Sequence, residues 1–178
     1  SAQGKLPPMP NDVHFNVFTF DFRGHGESSG TPTTYLTPEA QRGYLLDAQA
    51  AYALARNLPF ADPERIIGFG TSIGADAVVD ACGEGCAGAF AISPGSWLGQ
   101  DWAANAARVT NAAKPVRCMY AFNDGGTAAT CNSLPITTYY RIAAYEGKKH
   151  GQDFLVPRKM EANFGEILLA FLLAASTN

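Results

Sequence analysis

Charge is scarce in this sequence. Asp, Glu, Lys and Arg make up 16% of its 178 residues, against about 25% in an average globular chain. A surface laced with ion pairs is therefore not expected. Lys and Arg number 13 against 16 acidic residues, for a net charge of −3. No basic block stands out, which argues against nucleic acid as a partner. Long apolar runs are also missing. The longest, Ile167 to Ala175, has nine residues, and a bilayer span needs about 20. No charged-then-apolar leader opens the chain, so any signal peptide is expected to have been removed already. Histidine occurs three times, with no H-E-x-x-H and no paired-His spacing. Metal-dependent hydrolysis therefore has little support, and no metal or cofactor is expected.

What is present suits one globular domain over 1–178, with 1–12 loop-like. Hydrophobic residues reach 47% and glycine 18 positions, enough for one sizeable, closely packed core. The four cysteines are Cys82, Cys86, Cys118 and Cys131. The simplest pairing joins neighbours in sequence, Cys82–Cys86 and Cys118–Cys131. A zinc site is the rival, but Cys-x3-Cys has no matching second pair. Buried free thiols are the third option. Disulfides are the favoured expectation, and they imply a secreted or periplasmic location.

Elements alternate along the chain. Phe15 to Phe20 is predicted to be a buried strand, since aromatic and β-branched residues dominate it. Asp21 to Thr34 is a Gly- and Ser-rich loop. Helical spacing runs from Pro38 to Leu58. Strands follow at 65–69, 87–92, 116–122 and 136–145. Between them lie helices at 72–82 and 103–111, and a final one at 160–175 with Phe164, Ile167, Leu168, Phe171 and Leu172 on one face. This order predicts an α/β fold, a mostly parallel sheet with helices on both faces. Chemistry in such sheets gathers at the carboxyl ends of the strands.

Gly70-Thr71-Ser72-Ile73-Gly74 follows the strand at 65–69 and opens a helix. It reads G-x-S-x-G, the pattern that puts a serine on a sharp, strained strand-to-helix turn. The pattern alone is weak, and Gly26-Glu27-Ser28-Ser29-Gly30 repeats it. Thr31-Pro32-Thr33-Thr34 after Ser28 cannot start an immediate helix, so Ser72 is the candidate nucleophile. A helix N-cap serine is the plainer alternative. A serine hydroxyl needs a base, and the base needs an orienting acid. His14 and His25 precede the nucleophile. His150 alone lies downstream of it, after the strand at 136–145, although two adjacent lysines would also suit an exposed loop histidine. Asp124 follows the strand at 116–122 and is the candidate acid. Asp76 and Asp80 are spaced i, i+4 on the helix after Ser72 and read better as a polar or capping face. Asp101 and Asp153 are weaker loop candidates.

The order Ser72, Asp124, His150 resembles that of the α/β-hydrolase family. Asp21-Phe22-Arg23-Gly24-His25-Gly26-Glu27-Ser28 is similar to its D-x-R-G-x-G-x-S segment. Asp62-Pro63-Glu64 resembles the turn into the nucleophile strand. Asp124, nine positions after Pro115, fits the acid-bearing strand, and His150-Gly151 fits the family's late His-Gly. The resemblance implies attack by Ser72 on an acyl carbonyl, proton uptake by His150, orientation by Asp124, and an oxyanion donor in the N–H of Ile73. It covers the family pattern from the central strand onward. The earlier strands and the loop that gives the second oxyanion amide have no counterpart before Phe15, so the chain is expected to be N-terminally incomplete or minimal.

The stretch between Ile92 and Pro115 has room for little more than one helix. No large cap domain is expected, and Trp97, Trp102 and Tyr120 are candidates to line a substrate pocket, core packing being the equal alternative. The function expected is cleavage of a small-molecule carboxylic ester by a serine hydrolase. Peptidase, thioesterase and lactonase chemistry use the same triad. A non-catalytic hydrolase-like binding module is the rival outside enzymes. A nucleotide-binding domain fails, because Gly68-Phe69-Gly70-Thr71-Ser72-Ile73 has Ile73 where G-x-G-x-x-G needs its last glycine.

Overall fold

A computed structural model describes residues 7–11, 13–31 and 37–177. Within them four strands form one sheet in the order β1 (Ile66–Thr71), β2 (Cys86–Ile92), β3 (Val116–Ala121) and β4 (Tyr140–Tyr145). Every neighbouring pair is parallel. Parallel strands need crossovers, and the helices supply them: α2 (Ile73–Asp80), α3 (Trp102–Asn111) and α4 (Thr127–Cys131). Before the sheet comes α1 (Pro38–Arg56), and α5 (Phe164–Ser176) closes the chain. The α/β class and the parallel sheet are as the sequence predicts.

Side chains alternate across each strand, so β2 feeds two cores at once. Ala89 and Ala91 pack with Ala75, Val79, Trp102, Ala106 and Val109 of α2 and α3. Phe90 and Ile92 point the other way, into a cluster with Phe164, Phe171 and Ala175 of α5. This is why β2 is buried along its whole length and reads as a continuous apolar run rather than an alternating one. The predicted stripe of α5 is also its packing face: Phe164 and Phe171 are buried, and Ile167, Leu168 and Leu172 pack beside them. Thr37 caps α1 by accepting from the Ala40 N–H, with Pro38 in the first turn, a favourable helix start.

Both cysteine pairs are joined as disulfides, Cys82–Cys86 and Cys118–Cys131. The first closes the turn between α2 and β2, and the second ties β3 to α4. All four sulfur-bearing residues lie inside the cluster under α2 and α3.

The stretch from Phe15 to Phe20 departs from expectation. It pairs with no strand among the described residues, and Val17, Phe18 and Phe20 are exposed. Its propensity suits a strand, but a strand forms only where a neighbour completes the hydrogen bonds. The outer edge of β1 is the nearest ladder, and a groove lined by Phe18, Phe20, Tyr52, Ile67 and Phe69 lies between the two. Edge contacts hold the segment instead. Phe20 meets Phe22, and Phe22 meets Tyr44 of α1, in edge-to-face pairs at 5.0 and 5.4 Å. Three smaller differences follow the same logic of local context. β4 starts only at Tyr140, α4 was not predicted, and 3₁₀ turns occupy Gly151–Leu155 and Pro157–Lys159 ahead of α5. Part of the predicted loop, residues 32–34, and part of the predicted N-terminal loop, residues 1–6 and 12, lie outside the described residues.

Candidate active site

Ser72 sits between the last residue of β1 and the first of α2, with φ 54° and ψ −122°. For a non-glycine residue this is a strained conformation, of order 1–3 kcal/mol. The turn is tight because β1 and α2 almost touch. A Cβ on Gly70 would lie 2.0 Å from the carbonyl oxygen of Gly74, so only glycine fits at 70. At Gly74 a Cβ would meet nothing within 4 Å. The close approach thus depends on one of the two glycines in the motif. The strained Ser72 backbone is anchored by its N–H, which donates to Ile92 O at 2.8 Å.

Ser72 does not cap α2 with its hydroxyl. Its Oγ lies 2.9 Å from Nε2 of His150. On the other side of the ring, Nδ1 lies 2.8 Å from Oδ1 of Asp124. A proton on Nδ1 satisfies both contacts: Nδ1–H donates to the carboxylate, and Nε2 is left to accept from the serine. Asp124 is buried while the His150 side chain is 42% exposed, so the imidazole faces solvent at the rim and its orienting acid does not. Ile73 opens α2, and the N–H groups of a first helical turn have no acceptor within the helix.

Three strand ends supply the three side chains. Ser72 follows β1, Asp124 follows β3, and His150 follows β4, as a parallel sheet requires for a shared rim. The loops are tied to each other. Asn123 N–H donates to Gly147 O at 2.9 Å, linking the aspartate loop to the histidine loop. Lys149 turns away from the site, paired with Glu161 and lying 5.8 Å from the Phe154 ring centre.

Two supporting groups escaped the sequence reading. Thr127, fully buried, donates its Oγ1–H to Asp124 O at 2.8 Å and lies 3.3 Å from Asp124 Oδ2. That bond holds the turn from which the Asp124 carboxylate reaches His150. The only sequence signal was Asp-x-x-Thr at the start of a helix, which reads as an ordinary turn. Asp76 is the second. The sequence reads it as part of a polar or capping face; it is a buried carboxylate that accepts from the backbone N–H groups of Gly95, at 3.1 Å, and Trp97. Burial outweighs these bonds and pushes it up to about 6. One turn on, burial and the Asp76 charge push Asp80 up to about 7.

The other singled-out residues make the following contacts. Tyr120 is packed in the core and accepts from Asn132 Nδ2 at 3.0 Å. Trp102 is also buried, 3.4 Å from the Tyr140 hydroxyl through its indole nitrogen. Trp97 is half-buried in the turn after β2, its ring over Gly95. Ser28 donates to the carbonyl of Asp21 within the glycine-rich turn, where Arg23 forks onto Asp47 of α1. Asp101 caps α3, and Asp153 lies in the 3₁₀ turn after His150, 3.9 Å from Lys159 Nζ. Among the described residues no group of three or more His, Cys, Asp and Glu could hold a metal ion, and no helix is long and apolar enough to cross a membrane.

No family model matches the chain, and no solved structure matches it. Over 85 residues it is 42% identical to the uncharacterized protein YfhR of Escherichia coli (strain K12), covering 48% of this chain and 28% of that protein. Over 89 residues it is 40% identical to YfhR of Salmonella typhi, with 49% and 28% covered. A 68-residue stretch is 34% identical to alpha/beta hydrolase domain-containing protein 17B of Homo sapiens, covering 38% of this chain and 21% of the human one. The match therefore spans little more than a quarter of the length of YfhR. The chain is similar in part to an α/β-hydrolase-domain protein, and its parallel sheet is consistent with a hydrolase-like fold.

Proposed function

We propose that this chain carries the catalytic centre of a serine hydrolase that cleaves carboxylic esters through an acyl-enzyme. The observation that carries the reading is the strained Ser72, its hydroxyl 2.9 Å from His150 Nε2, with Nδ1 2.8 Å from Asp124. A serine kept in a costly backbone conformation and bonded to a histidine, instead of capping its helix, is arranged for reaction rather than for stability.

In this reading Ser72 Oγ attacks the ester carbonyl carbon while its proton passes to His150 Nε2. The charge that develops on the carbonyl oxygen faces the N–H of Ile73 at the start of α2, where helix amides favour an anion. The tetrahedral adduct then collapses. The carbon–oxygen bond to the alcohol breaks, and the leaving alkoxide takes the proton from Nε2. Water, deprotonated by the same nitrogen, attacks the acyl-serine, and the carboxylate leaves as Ser72 regains its proton. Asp124 stays ionised throughout and stabilises the imidazolium. No cofactor takes part in any step. Peptide, thioester and lactone substrates would follow the same course. The disulfides support a secreted or periplasmic setting.

The test is hydrolysis of a panel of p-nitrophenyl esters together with labelling by a fluorophosphonate. Turnover and labelling in wild type, with turnover down on the order of 10⁶-fold in Ser72→Ala and labelling lost, are expected. Folded protein that neither turns over nor labels would instead favour a non-catalytic binding module.

A further inference from the structure

Ser93 ends β2 much as Ser72 ends β1. It too has positive φ, 57°, and it is fully buried. Glycine would adopt that backbone without strain, so what serine adds at this position is its hydroxyl. The hydroxyl oxygen accepts from the Gly151 N–H at 2.9 Å. That amide belongs to the peptide bond joining His150 to Gly151. Ser93 is tied to the rest of the site as well. Its own N–H donates to Met119 O of β3 at 2.8 Å, and the carbonyl of its neighbour Ile92 accepts from the Ser72 N–H, also at 2.8 Å. The turn that follows is pinned to α2 by the Asp76 carboxylate through Gly95 and Trp97.

We propose that Ser93 is a positioning residue for His150: its hydroxyl fixes the peptide plane after the histidine and so aims the imidazole between Ser72 and Asp124. The ring must meet two partners at once, one on each nitrogen. A rotation of the adjoining peptide swings it away from both, and misplacement by about 1 Å can cost on the order of 10²-fold in rate. Without the hydroxyl the Gly151 N–H is left buried and unpaired, so the loop has every reason to rotate. The proposal rests on the hydrolase reading for its consequence in rate but not for its geometry.

Ser93→Ala removes the hydroxyl and keeps the strain, whereas Ser93→Gly removes both. Both are expected to lower kcat on p-nitrophenyl acetate about 10- to 100-fold with KM within about twofold. Both should also broaden or abolish the downfield proton resonance of His150 Nδ1–H, a signal that a general loss of stability in a still-folded protein would leave in place. If Ser93→Gly keeps wild-type kcat and the resonance, the backbone conformation and not the hydroxyl is what matters, and the proposal fails. Wild type without turnover or Ser72 labelling would defeat the hydrolase reading alone, because the resonance still reports on the ring in each variant. If neither variant folds, amide exchange in wild type decides. A Gly151 N–H strongly protected against exchange is the expected result, and one exchanging at an unprotected rate overturns the proposal.

Discussion

Ser72 carries strain that the proposed reaction would justify, and this can be measured apart from activity. Ser72→Ala keeps a Cβ at φ 54°, while Ser72→Gly relieves it. Both should be inactive. The glycine variant is expected to be the more stable of the two by about 1 kcal/mol, since relief of strain outweighs the added freedom of its unfolded chain. Urea unfolding of the pair checks this, and a glycine variant less stable than the alanine one would mean that the elbow is unstrained. At the acid, Asp124→Asn preserves shape but offers an amide to His150 Nδ1 and favours the wrong tautomer. A fall in kcat on the order of 10⁴-fold is expected, read from initial rates on the same esters. Asp80 gives a pH signature. Its carboxyl is pushed up to about 7 by burial and by Asp76, so the folded state holds its proton more tightly than the unfolded chain does. The resulting stability is fully present below the ordinary carboxyl value of 3.8 and is lost as pH rises through about 7. Asp80→Asn should remove this contribution and flatten the curve of unfolding midpoint against pH between 4 and 8. A curve as steep as that of wild type would refute the assignment.

Elements were legible wherever one segment sufficed to announce them. The stripe on α5, the Asp-Pro turn before β1 and the G-x-S-x-G junction are all contiguous patterns, and each falls where expected. Ser72, Asp124 and His150 lie within hydrogen-bond reach of one another, because a parallel sheet delivers the loop after each strand to the same rim. What could not be read were features made by two segments meeting. Asp76 and Asp80 have the i, i+4 spacing of a polar or capping face, yet the turn after β2 folds over Asp76 and buries it. Ser93 looks like the start of a Ser-Pro-Gly turn until Gly151 arrives from 58 residues away. Phe15 to Phe20 has the composition of a strand, yet among the described residues it pairs with none. The disulfide between Cys118 and Cys131 also joins two elements, β3 and α4, over a separation of 13 residues. Since α4 follows the turn that holds Asp124 and contains Thr127, the crosslink braces the Asp124 turn as well as the fold. A Cys118→Ala, Cys131→Ala double variant is expected to lose about 3 kcal/mol of stability, with calorimetry as the measurement. The matching change at Cys82 and Cys86 closes a shorter loop of separation 4, should cost less, and should leave kcat alone.

At the scale of the molecule, the sheet is well covered at its centre and, among the described residues, ends on two edge strands, β1 and β4. Behind β2 and β3, α5 covers one face and α2 with α3 covers the other, and the strands between them are buried. Along β1 the cover gives out. Phe69 stacks on Phe90 at 5.4 Å, yet it is itself 39% exposed, and across the groove Phe18 and Phe20 are also exposed. Monomers seldom leave contiguous apolar surface of this kind in water, and an unpaired strand edge adds unsatisfied backbone groups. The 178-residue chain should therefore bind the dye ANS (8-anilinonaphthalene-1-sulfonate) while fully folded, with intact near-UV circular dichroism. That combination separates a native groove from a loosened core, in which the near-UV signal would be lost. Phe18→Ser with Phe20→Ser removes one wall and, apart from the contact of Phe20 with Phe22, leaves the buried clusters alone, so it should reduce the fluorescence severalfold with little change in the unfolding midpoint. Undiminished fluorescence in that variant would place the dye elsewhere and show the groove to be closed in solution.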